Sequence, residues 1–205
     1  MNLRKYLILL TFFLTPWGAN AQALAPDALA RSVTDEVLAL IRSDKDLQAG
    51  NTRKVLELVE AKVLPHFSFQ SMTRLALGRN WRQASAEQQK RLIAEFRTLL
   101  VRTYTTAFTQ YKNQTIEYRP VRMAASDTDV VVQSLIKQPA GQPVAVDYNM
   151  EKTAEGWKVY NVKIEGVSLI ENYRNTFHSE IQKSGVDGLI KALADKNRSA
   201  QAAPK

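Results

Sequence analysis

The apolar residues of this chain recur at helical spacing up to Asn113, alternate every second residue from Thr115 to Ile164, and return to helical spacing after it. A chain that keeps the alternating period through four consecutive segments between helical stretches is confined to α+β folds with helices and strands segregated along the chain. The four alternating segments are Thr115 to Arg119, Asp129 to Lys137, Val144 to Lys152 and Trp157 to Ile164. Their connections are too short for parallel crossovers, so the spacing predicts an antiparallel meander. In the third segment Val144, Val146, Tyr148 and Met150 share one face, while Asp147, Asn149 and Glu151 share the other. In the fourth, Tyr160, Val162 and Ile164 fall on one face, broken by Lys158 only at the open end. The predicted inner face of the sheet is almost wholly apolar.

The first half reads as helices. Asp27 to Arg42 carries Leu29, Val33, Val37, Leu40 and Ile41 on one stripe, and Asn51 is a suitable cap for a second helix ending before Leu64 and Pro65. Phe67 to Leu77 is a third, stopped at Gly78; Trp81 then stands as a packing anchor or a ligand contact. Ser85-Ala86-Glu87-Gln88 is a capping box opening the longest helix, to about Lys112 and ~40 Å long. Its stripe of Ile93, Phe96, Leu100, Tyr104, Phe108 and Tyr111 is open to two readings, an ordinary core face or the wall of an apolar cavity. After the sheet, Ser168-Leu169-Ile170-Glu171 is a second box, predicting a helix from Ser168 with Ile170, Tyr173, Phe177 and Ile181 inward. Ser184-Gly185 stops it, and Asp187 opens a short last helix.

Residues 1–21 have the pattern of a signal peptide: Arg4 and Lys5, the apolar run Tyr6 to Leu14, and Ala19-Asn20-Ala21 as the cleavage site. Residues 22–196 form one domain, and 197–205 a disordered tail. Removing Arg4 and Lys5 lowers the 28 Lys+Arg to 26 against 20 Asp+Glu, a net charge of +6. A basic exported protein favours anionic lipid or acidic protein partners, and no basic run with interleaved aromatics supports nucleic acid. With no cysteine, disulfides and thiolate metal sites are excluded. His66 and His178 lack a metal-ligand spacing and read as surface or packing residues, and no nucleophile or phosphate-loop motif occurs. No metal, cofactor or catalytic group is therefore assigned.

Two blocks carry a resemblance. The first runs Val63-Leu64-Pro65-His66-Phe67, then Leu77-Gly78-Arg79-Asn80-Trp81, Ser85 with Gln88, and Phe96-Arg97 with Leu100 and Tyr104. The second is Glu165-Gly166-Val167-Ser168-Leu169-Ile170, with Trp157 and Tyr160 before it and Gly185-Val186-Asp187-Gly188-Leu189 after it. Together they resemble the MlaC family, also called the toluene-tolerance auxiliary family. The resemblance implies an α+β fold: a four-stranded antiparallel meander packed against a mostly helical N-terminal half and C-terminal helices, with an apolar cavity between. It also implies a monomeric periplasmic carrier of a Gram-negative bacterium, one that holds a phospholipid by its acyl chains and helps maintain outer-membrane lipid asymmetry. The implied partners are an outer-membrane lipoprotein complex and the MCE-domain subunit of an inner-membrane ABC transporter. Face parity and the matching blocks together select Tyr104, Phe108, Val146, Tyr148, Met150, Tyr160, Val162, Ile164, Val167 and Ile170 as chain-lining residues.

Two alternatives accompany this reading. The resemblance extends to relatives associated with hopanoid pathways, which implies a hopanoid or isoprenoid lipid as the alternative cargo and would leave the protein a carrier. A curved sheet closed by helices also resembles the cone of small isomerases, which need an acid or base inside it. The inward positions of the last two strands offer only Tyr148 and Tyr160, with Asp147 of outward parity.

Overall fold

The computed structural model describes residues 24–109, 114–139 and 141–202. The expected signal peptide lies outside them. Helix α1, Pro26–Ser43, has proline at its first turn, where no backbone donor is needed. Asp44 then accepts from the amides of Asp46 and Leu47 to open the one-turn α2, Lys45–Gln48. Asn51 caps α3, Thr52–Leu58, through the Lys54 amide, as its sequence position predicts. The chain continues through a π-helical turn, Val59–Val63, and a 3-10 turn, Leu64–His66. Val55, Leu58 and Val59 close a small core with Val37, Ile41 and Leu47.

Helix α4, Phe69–Leu77, starts on Ser68 and ends at Gly78, whose φ of +54° is a conformation glycine adopts without a side-chain penalty. A 3-10 segment, Gly78–Gln83, leads to α5, Ala86–Thr109. The predicted box is reciprocal: the Gln88 amide donates to Ser85 Oγ at 3.2 Å, and the Ser85 amide donates to Gln88 Oε1 at 2.9 Å.

The sheet is an antiparallel meander, β1 Thr115–Tyr118, β2 Asp129–Lys137, β3 Val144–Thr153, β4 Gly156–Ile164 and β5 Val167–Ser168, ordered β1-β2-β3-β4-β5. Five strands replace the expected four. The extra one arises because Glu165 and Gly166, both at positive φ, make a two-residue hairpin turn that folds Val167 and Ser168 back onto β4. Ser168 still caps: its Oγ accepts from the Glu171 amide at 2.9 Å and donates to Asn161 Oδ1 at 2.7 Å. The helix it was expected to open, α6, begins four residues later and spans Asn172–Ala202.

Gly185 breaks α6 at φ +71°, where the sequence predicts a stop. Beyond the break the helix continues through 197–202, so the tail expected from 197 is helical there. Asn197 is buried and donates to the Glu95 carbonyl and carboxylate of α5. Helices α4, α5 and α6 share the largest core, in which Phe96 meets Tyr173 and Phe177 edge-on with centroids 5.0 and 5.1 Å apart. Phe67 joins this layer to the sheet by a parallel bridge to Val159.

Candidate functional site: a cavity between α1 and the sheet

The sheet's inner face does not close onto the large helical core. It faces α1 across a cavity of about 770 Å³, within the range that holds a sizeable organic ligand. One wall is α1. Leu29, Val33, Val37 and Ile41 form one column four residues apart, and Ala30, Thr34 and Leu38 form the next, so two adjacent columns face inward. The floor is the sheet, with Ile116, Ile136 and Val144 at one end, Tyr118 and Tyr148 in the middle, and Met150 and Val159 at the other. Val63, His66 and Phe67 close the end beside Val159; Gln114 and Gln138 stand at the opposite end.

A polar contact spans the cavity. Thr34 Oγ1 of α1 lies 2.6 Å from Tyr118 Oη of the sheet, and Arg31 stacks over the same ring at 5.4 Å while donating to the Tyr118 carbonyl. Asp27 accepts from the Val121 amide nearby. The first half of α1 is therefore held to the sheet partly by polar bonds at its edge, while its second half is buried against α2 and α3. Burial pushes the Tyr118 phenol up, and the Thr34 hydrogen bond opposes this in part. Tyr148 is pushed up further, again by burial first and then by Tyr118 beside it. Both stay neutral across the physiological range, so the middle of the cavity is uncharged. His66 is held below the usual imidazole range, mainly by burial and then by the Lys158 ammonium, with Glu36 opposing.

Of the residues selected from sequence, Tyr148 and Met150 line the cavity. Val146 and Val162 share their face without lining the cavity: Val146 is 5% exposed, and Val162 packs against the sheet core. Ile164 and Val167 face each other across the β4–β5 hairpin at 38% and 55% exposure. Tyr104 and Ile170 belong to the helical core instead. The Phe108 side chain lies outside the described residues.

Tyr160 is displaced by a β-bulge. Asn149 pairs with Asn161 and Met150 with Val159, leaving Tyr160 as the extra residue. The inner face of β4 therefore switches from Val162 and Ile164 to Val159 and Trp157. Tyr160 turns to the other side, into a polar cleft with Asp129, Glu151, Arg74 and Arg174. Burial and the adjacent Asp129 carboxylate push its phenol up to about 12.

The α1 wall escapes sequence reasoning, because a stripe facing a cavity and a stripe facing a core have one periodicity. The weak signal is its width, two columns containing Ala30 and Thr34 where a tightly packed helix presents bulkier side chains.

The model of the MlaC protein family matches residues 31–195. The intermembrane phospholipid transport system binding protein MlaC of Haemophilus influenzae is 25% identical over 196 residues, covering 93% of this chain and 92% of that one. The toluene tolerance protein ttg2D of Pseudomonas putida is 23% identical over 190 residues, covering 89% and 88%. Among solved structures, a phospholipid-binding protein of Ralstonia solanacearum, determined in complex with a phospholipid, superimposes with a TM-score of 0.78 at 44% identity. The match covers 87% of this chain and 99% of that one. An antiparallel sheet with helices in this arrangement, and a family match over most of the sequence, have one conclusion: the chain belongs to the MlaC family.

Proposed function

We propose that the protein is a phospholipid carrier, and that residues 22–196 are one lipid-binding domain holding acyl chains between α1 and the sheet. The observation that carries this is the large apolar cavity with an uncharged middle. Exposing two ordinary acyl chains to water costs on the order of 20 kcal/mol at ~0.8 kcal/mol per CH₂. A hydrocarbon-lined cavity removes most of that cost. Because a bilayer removes it equally well, exchange between carrier and membrane is nearly balanced, and direction comes from the partners. The phospholipid held by the Ralstonia solanacearum relative supports a two-chain cargo over a hopanoid or isoprenoid. The neutral tyrosines in the cavity suit holding hydrocarbon better than acid-base chemistry on a small substrate.

The names of the relatives support the wider setting. The leader-like residues 1–21 export the protein to the periplasm of a Gram-negative bacterium. There the monomer exchanges lipid with an outer-membrane lipoprotein complex and with the MCE-domain subunit of an inner-membrane ABC transporter, preserving outer-membrane asymmetry.

Filling the cavity tests the site. Ala30→Trp places an indole where the α1 wall is thinnest, without removing any polar bond. The variant is expected to keep the wild-type circular dichroism spectrum and lose most of its extractable lipid. Full lipid loading in a folded Ala30→Trp protein would rule out this cavity as the carrier site.

A further inference from the structure

We propose that the His66 end of the cavity is the phosphate end: a bound lipid lies with its chains between α1 and the sheet and its anionic phosphodiester against His66, with the Lys158 ammonium as the neighbouring positive charge. This rests on the carrier function proposed above and adds the orientation of the cargo.

Three observations distinguish this end from the rest of the cavity. First, His66 is, among the described lining residues, the one side chain able to become a cation. The middle offers the hydroxyls of Thr34, Tyr118 and Tyr148, and the far end the neutral amides of Gln114 and Gln138. Lys137, next to Gln138 in the chain, alternates to the face opposite the cavity-lining Ile136 and pairs with Glu117 outside the cavity.

Second, the backbone that carries the ring is fixed. Pro65 holds the 3-10 turn before it, and just after it the Phe67–Val159 bridge and the Ser68 amide donating to the Val159 carbonyl at 2.8 Å pin the chain to the edge of β4. His66 is half-buried, with the cavity on one side and solvent within reach on the other. The far end also meets solvent, at the exposed Gln138, so charge and not exposure favours the His66 end.

Third, a second cation is held beside it from the outer side of the sheet: Lys158 has the parity of Tyr160, not of the cavity-facing Val159, and reaches round the edge of β4. Lys158 Nζ donates to the Pro65 carbonyl at 2.7 Å, one residue from His66, and its side chain is only 18% exposed. Its carboxylate partner, Glu155 at 3.1 Å, is 80% exposed, so that pairing is well screened and weak. The other charges facing this end are Glu36 of α1 and Lys62, which neutralise each other at 2.6 Å. These four charges balance, so protonation of His66 is what supplies the positive excess that an anion would meet.

A phosphodiester here reverses the influences on His66. Without it, burial and Lys158 hold the imidazole neutral near pH 7. An adjacent anion favours the imidazolium, so binding takes up a proton and phospholipid affinity rises as the pH falls from 8 to 6. A lipid without phosphate gains nothing from this change.

The test compares two ligands with the same chains, dipalmitoylphosphatidylglycerol and dipalmitoylglycerol, on the delipidated protein at pH 8 and pH 6. The wild type is expected to prefer the phospholipid by roughly tenfold or more, as one or two charge-assisted hydrogen bonds allow, and more so at pH 6. His66→Gln is expected to abolish the pH dependence and Lys158→Gln to reduce the preference, each read as the ratio of the two lipids' affinities, with a wild-type circular dichroism spectrum in both as the check that the protein is folded. If folded His66→Gln and Lys158→Gln both keep the full preference ratio and its pH dependence, the phosphate sits elsewhere and the proposal is overturned. A wild type that binds neither lipid overturns the carrier function itself.

Discussion

At the scale of single residues, the contrast between Tyr148 and Tyr160 is the most informative. Both have the parity of the inner face when β3 and β4 are read as unbroken alternations. Only Tyr148 reaches the cavity, because the bulge at Tyr160 reverses the faces of the first half of β4. Sequence leaves this open: Trp157 and Val159 make as good an apolar set as Tyr160, Val162 and Ile164, and either parity satisfies the pattern. Tyr160→Phe is accordingly expected to leave lipid content within error of the wild type. The corresponding cavity-floor change, Met150→Lys, puts an ammonium among apolar walls and is expected to empty the site. Quantifying extracted lipid per mole of each protein checks both, and a large loss in Tyr160→Phe would contradict the assigned faces.

At the scale of elements, the helix caps were the most legible feature. Asn51 and the Ser85–Gln88 box cap where their spacing places them, since capping is decided within four residues of chain. The Ser168 box was half legible. Its hydroxyl does accept from the next amides, yet tertiary pairing with β4 takes Val167 and Ser168 into a strand and delays α6 to Asn172. Ser168 also holds the buried Asn161 carbonyl oxygen. Ser168→Ala therefore removes a cap and leaves Asn161 short of a donor, at a cost of about 2 kcal/mol. Urea unfolding of the lipid-free protein measures this; a cost under a few tenths of a kcal/mol would mean that solvent replaces the hydroxyl. The role of α1 was not legible at all, because its amphipathic stripe does not state whether protein or lipid covers it.

At the scale of the whole molecule, the two halves of the chain divide the work. Among the described residues the largest core lies in α4, α5 and α6, and it takes in Phe96, Leu100 and Tyr104 of the stripe that could have been a cavity wall. The sheet and α1 are thereby left free to enclose hydrocarbon between them, so emptying the cavity need not unfold the protein. The surface carries a positive excess, +6 once residues 1–21 are removed. Association with acidic partner surfaces is therefore expected to slow as ionic strength rises from 0.05 to 0.5 M, roughly the range over which the Debye length shrinks past the contact distance. Stopped-flow binding to the isolated membrane complexes measures it, and a salt-independent rate would argue against charge-guided docking.

Whether the cavity between α1 and the sheet carries a two-chain lipid is tested most directly by native mass spectrometry of the protein recovered from a bacterial periplasm without detergent, followed by organic extraction. The expected result is one two-chain phospholipid per protein, lost in Ala30→Trp. A clean lipid-free mass, persisting after incubation with phospholipid vesicles, would contradict it.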